Sequence, residues 1–463
     1  MTDDTTESTI VDGAQLLEDR AGDAALESPN YDGEFDAVIV GAGLAGSAAA
    51  LTLAKRGLEP LLIERGTYPG AKNVFGGVLY TPTIRELTDL DGAPLERYIG
   101  EKRFSMLSHH DETAVSLKPG DWHREPHNES FTVFRGDFDE WFAEQAVEAG
   151  ATLITETTVT GLIREKGTIA GVETDRPDGE IRAPYVILAE GGNSLVSEGA
   201  GLKETESREN IAVAAKEVLE FPENDEAIED RFRLVGDAGV SYHYFGEGAV
   251  GEAFGGGFIY TNDDTVSVGV AYSLEDAATK RQSPEETLNL FKSHPAVAPL
   301  LKNARTVEYS AKTIPEGGAE TMPDLVHDGA LLVGDTAGLV LNNGVHLEGT
   351  NMAVESGYHA AAAIADTIEG DGHLSQYADA LEQSFVVQNL ERYAWLQERV
   401  EEDRELLFER LPTAIADAST EYFEMDRKPK ETHAKAAKAR VLETVGGLKG
   451  ATKLALRYRK LVR

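Results

Sequence analysis

The residues of this chain best suited to chemistry are glycines and carboxylates, arranged for binding rather than for nucleophilic attack. Gly41, Gly43 and Gly46 have the Gly-x-Gly-x-x-Gly spacing, and Glu64 follows Gly46 by eighteen residues. Such a set suits a dinucleotide. Gly41 permits a tight turn, Gly43 lets the backbone approach a pyrophosphate, and Gly46 lets a helix pack closely on a strand. The helix N-terminus then points its amides at the phosphates. Glu64 is placed to accept hydrogen bonds from ribose hydroxyls, and an acid there favours a 2′-hydroxyl over a 2′-phosphate. Ala45 inside the turn and Arg65 after the acid complete the expected contacts.

Positioning these groups requires a strand–turn–helix–strand unit, and residues 35–65 read as one. An apolar run from Ala37 to Val40 leads into the turn, Ser47 to Arg56 reads as helix, and a second apolar strand ends at Glu64. Tyr185-Val-Ile-Leu-Ala-Glu-Gly-Gly-Asn193 is a further apolar strand entering a glycine turn. Gly329-Ala-Leu-Leu-Val-Gly-Asp335-Thr-Ala-Gly338 is another, with Asp335 where the strand opens. A nicotinamide dinucleotide lies across one Rossmann sheet and needs no such late Gly-Asp pair. FAD is longer, and its ribityl chain needs a second anchor, for which Asp335 is the candidate. Read alone, Gly334-Asp335 is sooner an ordinary helix N-cap; after the dinucleotide fingerprint it favours FAD.

Composition narrows the class. A chain of 463 residues buries a large core and is expected to form two or three closely joined domains. It has no apolar run long enough for a transmembrane helix, and its start, MTDDTTEST, lacks the basic and apolar regions of a secretory signal. A cytoplasmic protein is the resulting expectation. The 81 acids against 43 bases give a net charge of −38, spread along the chain rather than blocked. That excess repels itself in a compact state unless it is screened. At molar salt the Debye length falls to about 3 Å. The composition therefore predicts a halophile's protein and argues against nucleic-acid binding. There is no cysteine, which excludes a redox disulfide and an iron–sulfur cluster held by this chain in the ordinary way. The eleven histidines show no metal-binding spacing, and His109-His110, His123 and His127 read as surface or loop residues.

Along the chain, residues 1–34 carry ten acids and one base and read as a disordered acidic tail. Segments 35–80, 131–200 and 310–370 are assigned to a discontinuous FAD-binding domain, and 81–130 with 201–309 to a substrate domain. Arg135 opens an amphipathic helix, and Asn262-Asp263-Asp264 between two alternating runs predicts a hairpin. Residues 371–425 read as helical. The last segment, 426–463, holds twelve bases against three acids, interleaved with apolar residues. It predicts a basic amphipathic helix, docked either on a membrane surface or on the chain's own acids.

With these residues placed, the chain resembles the electron transfer flavoprotein–quinone oxidoreductase family, in its FixC-type branch. The resemblance runs from about Phe35 to about Lys430. It rests on the fingerprint, on Gly70-Ala-Lys-Asn-Val-Phe-Gly-Gly77 and on Phe254-Gly-Gly-Gly-Phe-Ile-Tyr-Thr261. It continues through His294-Pro-Ala-Val-Ala-Pro-Leu-Leu301, Ile314-Pro-Glu-Gly-Gly318, Leu332-Val-Gly-Asp-Thr-Ala-Gly-Leu-Val-Leu-Asn342 and Ser384-Phe-Val-Val-Gln388. It implies an α/β fold: a Rossmann-like FAD-binding domain, an inserted antiparallel-sheet substrate domain of the hydroxylase or geranylgeranyl reductase kind, and a helical C-terminal region.

The resemblance also implies roles. Gly41, Gly43 and Gly46 bind pyrophosphate and Glu64 the adenosine ribose. Gly76 and Gly77 approach the flavin side, Arg135 holds the phosphates or the adenosine end, Asp335 binds the ribityl or pyrophosphate region, and Gly349 and Thr350 lie near the ring system. Gly255 and Gly256 match the glycine pair that contacts quinone in relatives. No catalytic side chain is implied, although His346 is the nearest candidate proton carrier, with a structural loop histidine as the alternative. The implied partners are an electron transfer flavoprotein, a quinone and a separate ferredoxin-like iron–sulfur protein. Longer relatives hold a cluster on their own cysteines; the FixC-type resemblance implies that it sits on a separate ferredoxin-like chain, and the absence of cysteine fits that arrangement. A peripheral contact with the inner face of the cell membrane is a further expectation. The competing function is prenyl-lipid reduction by a geranylgeranyl reductase. Ser241-Tyr-His-Tyr-Phe-Gly246 only faintly echoes the Tyr-x-Trp-x-Phe-Pro segment of those enzymes.

Overall fold

The computed structural model describes residues 35–73, 76–177, 179–222, 228–343 and 347–462. The acidic segment 1–34 and His346 lie outside the described residues. The short apolar runs show no alternation because both of their faces are covered. Ala37–Val40 and Pro60–Ile63 are buried at every position. They form the centre of a six-stranded sheet, in the order Val326–His327, Ala330–Leu332, Tyr185–Leu188, Ala37–Val40, Pro60–Ile63, Thr152–Ile154. All its junctions are parallel except the first. A parallel sheet buried on both faces is the arrangement expected for such uninterrupted Val/Ile/Leu runs.

The helix Leu44–Lys55 follows the glycine turn and is buried along almost its whole length. Against it packs the 20-residue helix Thr350–Glu369. The approach is close: a Cβ on Gly357 would stand 2.1 Å from the Ala45 carbonyl oxygen. The expected helix from Arg135 is present as Arg135–Glu148. A small antiparallel sheet of Val159–Glu165, Thr168–Thr174 and Glu180–Arg182 flanks this layer.

The second layer is a large curled sheet. Its order is Arg305–Pro315, Ile211–Glu220, Thr265–Ser273, Gly255–Thr261, Ala238–Phe245, Tyr98–Leu107, Ser130–Phe134, Gly76–Tyr80, with Glu112–Leu117 paired on Tyr98–Leu107. The hairpin around Asn262-Asp263-Asp264 joins two of these strands. One junction departs from the antiparallel expectation: Ala238–Phe245 runs parallel to Tyr98–Leu107. These strands come from distant segments, so no tight turn dictates their relative direction.

Strand pairing also redraws the expected segments. Gly76–Tyr80, assigned to the FAD-binding part, pairs instead with Ser130–Phe134 in the large sheet. Arg305–Pro315 crosses the expected boundary at 310 without a break. Sheet membership is set by the partner strand, which local sequence does not reveal. Along Ala238–Phe245 the side chains divide by parity. Val240, Tyr242 and Tyr244 enter a core with Phe291 of the helix Pro284–Ser293, while Ser241, His243 and Phe245 face the other way.

The C-terminal region is helical: Gln376–Gln383, Phe385–Glu402, a π-helical turn Glu405–Arg410, then Leu411–Phe423. The basic segment forms two helices rather than one, Lys430–Thr444 and Gly447–Arg457. The break falls at Gly446 and Gly447, with φ of 78° and 74°, values open to glycine and strained for other residues. Part of the segment packs on the chain's own acids. Arg440 meets Asp417 at 2.9 Å, Arg457 meets Asp403 at 2.9 Å, and buried His433 lies 3.1 Å from Glu421 and 3.0 Å from Asp426.

Candidate functional site: an anion cradle joined to an apolar chamber

One cavity of about 450 Å³ lies between the parallel sheet and the large sheet. Its first half is built from helix starts and strand ends. Gly41 has φ +101°, and a Cβ there would lie 2.4 Å from the Ala189 carbonyl oxygen. A Cβ on Gly46 would stand 1.9 Å from the Gly41 carbonyl oxygen, so this glycine lets helix and turn pack. Gly43 has nothing within 4 Å of its Cβ position and borders the cavity. Its glycine freedom is therefore spent on approach from the cavity rather than on packing.

Two long helices open on this space, Leu44–Lys55 after Gly43 and Thr350–Glu369 after Gly349. Neither has a side-chain cap nor an acid in its first turn. Their first amides are left for an anionic ligand, which the helix dipoles favour. Asn351, in the first turn of the second helix, has a buried Oδ1 with no partner among the described residues.

Most of the expected site residues converge here. Gly41, Gly43, Ala45, Glu64 and Arg65 line one end. Asp335, Gly349 and Thr350 line the middle, and Gly255 with Gly256 the far side. Glu64 is buried; it accepts the Ala42 amide at 3.1 Å through Oε2 and the Gly66 amide at 2.7 Å through Oε1. These bonds fix its carboxylate at the strand end. Arg135 borders the cavity through a bidentate pair with Asp139, at 2.7 and 2.9 Å. Asp139 is 0% exposed and absent from the sequence reading; its place four residues on, one helical turn from Arg135, is the signal that would have found it. Gly77 is buried within Gly76–Tyr80, and from that strand Val78 and Tyr80 line the cavity. A FAD fits this set. Glycine turns and uncapped helix starts suit its pyrophosphate, Glu64 its ribose, and Asp335 its polyol chain.

The second half is apolar with a few polar points. Phe245, Phe258 and Tyr260 project from the large sheet beside Gly255, Gly256 and Gly257. Ser241 Oγ lies 2.9 Å from His243 Nε2, and both residues are buried. Burial lowers the basicity of Lys216 and of Lys312, the latter opposed by the Asp335 carboxylate. Burial also raises the phenols of Tyr80 and Tyr260 and pushes the Glu316 carboxyl up to about 7. Sequence reasoning missed Lys216, Ser241, His243, Lys312 and Glu316. Each lies on or beside a strand of the large sheet, and only pairing brings them to one face.

A cavity joining a dinucleotide cradle to an apolar chamber, in a two-layer α/β scaffold, defines an FAD-dependent oxidoreductase. Residues 34–384 match the FAD binding domain family. The chain is 41% identical over 407 residues to protein FixC of Azorhizobium caulinodans, covering 86% of this chain and 92% of that one. It is 38% identical over 439 residues to the probable electron transfer flavoprotein-quinone oxidoreductase YdiS of Escherichia coli, covering 91% and 100%. The protein belongs to the FixC and electron transfer flavoprotein–quinone oxidoreductase family of FAD-dependent enzymes. Solved structures share its fold. A geranylgeranyl bacteriochlorophyll reductase-like protein of Thermoplasma acidophilum superposes with a TM-score of 0.61 at 22% identity, over 92% of this chain and 97% of that one. The myxobacterial halogenase CndH gives 0.59 at 18%, over 90% and 91%. Among the described residues no helix is long and apolar enough to cross a membrane.

Proposed function

We propose that this protein takes electrons from an electron transfer flavoprotein and delivers them to a quinone, with a separate ferredoxin-like subunit assisting. Supporting it most directly is the continuity of the cavity. The cradle for FAD opens without a partition onto an apolar chamber floored by Gly255, Gly256 and Phe258. Bound FAD supplies reversible uptake of one or two electrons. The chain's own work is to bind, orient and exclude water. Gly41, Gly43, Ala45 and Gly46 shape the phosphate turn, and Glu64 with Arg65 and Arg135 holds the adenosine end. Asp335, Gly349 and Thr350 hold the polyol and ring system. Gly76 and Gly77 set the strand beside it.

Quinone reduction to quinol takes up two electrons and two protons, and the chamber has groups able to hold protons near neutrality. Glu316, pushed up to about 7 by burial, borders the cavity. Ser241 and His243 add a hydrogen-bonded pair on the sheet face. Gly255 and Gly256 present backbone where a planar ring would lie.

The chain has no cysteine, so a cluster must come from another chain. The basic helices Lys430–Thr444 and Gly447–Arg457 suit an acidic ferredoxin-like partner or a peripheral contact with an anionic membrane. Lys435 is largely exposed there, and Leu448 is 70% exposed. The acid excess supports a cytoplasmic protein of a salt-rich cell.

The test is anaerobic reduction of the FAD-loaded protein in molar KCl by the host's electron transfer flavoprotein, with and without its ferredoxin-like protein, followed by a soluble quinone. Bleaching of the flavin and reoxidation by quinone is the expected result. A flavin that ignores both proteins, but saturates a prenyl lipid after dithionite reduction, would replace this function with lipid reduction.

A further inference from the structure

On one side the chamber shares lining residues with a second, smaller pocket, and that boundary has the build of a gate. Phe254, Gly255 and Phe408 line the main cavity and also a small outer pocket bordered by Gly246, Gly251, Arg404 and Glu409. The two spaces are separated by these side chains. Phe408 sits on the π-helical turn Glu405–Arg410, the single such turn among the described residues. Turns of this kind are uncommon and frequently mark functional positions. Its ring meets Phe254 edge-on at 5.2 Å and 79°, and lies 6.0 Å from Phe245. Edge-to-face aromatic contacts hold by about 1 kcal/mol, enough to close a wall and weak enough to part.

The turn is brought close by Gly246, where a Cβ would lie 3.0 Å from the Phe408 carbonyl oxygen. One carboxylate then ties both jaws together. Asp276 Oδ1 accepts from Arg404 at 3.1 Å, while Asp276 Oδ2 accepts the Phe254 amide at 2.8 Å. Arg404 also meets Glu401 at 3.0 Å, at the end of the helix Phe385–Glu402. Breaking the Arg404–Asp276 pair removes a tie on the turn carrying Phe408, while Asp276 Oδ2 still accepts the Phe254 amide just before the strand Gly255–Thr261.

We propose that Phe408 is the movable wall through which the alkyl tail of a quinone leaves the chamber, with the Arg404–Asp276 pair as its latch. The inference rests on the quinone reading above. A quinone ring fits the polar points at Ser241 and His243, whereas its apolar tail finds no such partners at the Phe245, Phe254 and Phe408 rings. The tail therefore lies along the aromatic wall and exits where Phe254 and Phe408 border both pockets. Phe408 is a specificity residue for the tail; Arg404 is a positioning residue acting through it.

The test compares one benzoquinone ring with and without a ten-carbon chain. Association and dissociation rates on the FAD-loaded protein are read by flavin fluorescence, and affinities by calorimetry, for Phe408→Ala, Phe408→Trp and Arg404→Gln. Relative to the tail-less ring, both rates for the tailed quinone are expected to rise at least about tenfold in Phe408→Ala and to fall in Phe408→Trp. Arg404→Gln is expected to follow Phe408→Ala. Rates that move equally for both quinones, or a ratio that stays fixed in all three variants, would overturn the gate. Should one variant fail to fold, the other two decide on their own. If the parent protein binds neither quinone yet is reduced by the electron transfer flavoprotein, the quinone reading falls and takes the gate with it.

Discussion

Gly357 offers the sharpest separation of local from tertiary physics. It lies inside the helix Thr350–Glu369, where alanine is preferred over glycine by about 1 kcal/mol. Propensity alone therefore predicts that Gly357→Ala stabilises. The structure predicts the reverse, because the new Cβ would stand 2.1 Å from the Ala45 carbonyl oxygen and 3.0 Å from its carbon. Those atoms are backbone in the neighbouring helix, so no side-chain rotation relieves the clash. The helices must part by roughly 1 Å, and overpacking of this kind costs about 1–3 kcal/mol. After the propensity gain a net loss of about 1 kcal/mol, and at most about 2, is expected. The parting moves the start of Leu44–Lys55, so FAD affinity should fall as well. Gly136→Ala is the control: it too is helical, yet its Cβ meets only the Tyr68 ring at 3.8 Å. Thermal melting of the apo- and FAD-loaded forms, with FAD titration by fluorescence, reads both effects. An unchanged or raised midpoint in Gly357→Ala, with full FAD affinity, would refute the close-approach argument.

Other outcomes follow from single groups. Glu64→Gln keeps the shape but loses the charge that accepts the Ala42 and Gly66 amides, and FAD should bind about tenfold more weakly by titration. Arg135→Ala leaves Asp139 buried without its cation and should destabilise by about 3 kcal/mol in denaturant unfolding; adding Asp139→Asn should restore much of this. Glu316 has its carboxyl pushed from 4.5 up to about 7, so the native state holds the proton more tightly than the unfolded chain. Stability should fall as pH rises from about 4.5 to about 7, and Glu316→Gln should flatten that slope in unfolding midpoints taken across the range. With a net charge of −38, raising KCl from about 0.1 M to about 1 M shortens the Debye length from about 10 Å to about 3 Å and should raise the melting point; a fall would remove the halophilic reading.

The local chemistry of the cradle is legible in the chain before it folds. The turn at Gly41, Gly43 and Gly46, the strand before it, the helix after it and Glu64 at the next strand end are contiguous, and contiguous residues carry their geometry in their own types and spacing. Asp335 was legible for the same reason, as a strand followed by a glycine turn. Whatever depends on which strand lies beside which comes from packing alone. Gly76–Tyr80 looks like the continuation of the FAD-binding segment, yet pairs into the large sheet, so Tyr80 reaches the chamber through a register that local residues do not encode. Lys216, His243 and Lys312 are far apart in the chain and line one cavity only because their strands share a sheet, with alternation turning all three to one face. The Arg135–Asp139 pair, Gly357 against Ala45, and Phe408 against Phe254 belong to the same class. Each is a contact whose energy depends on burial and distance between segments, and neither quantity exists until the layers have packed.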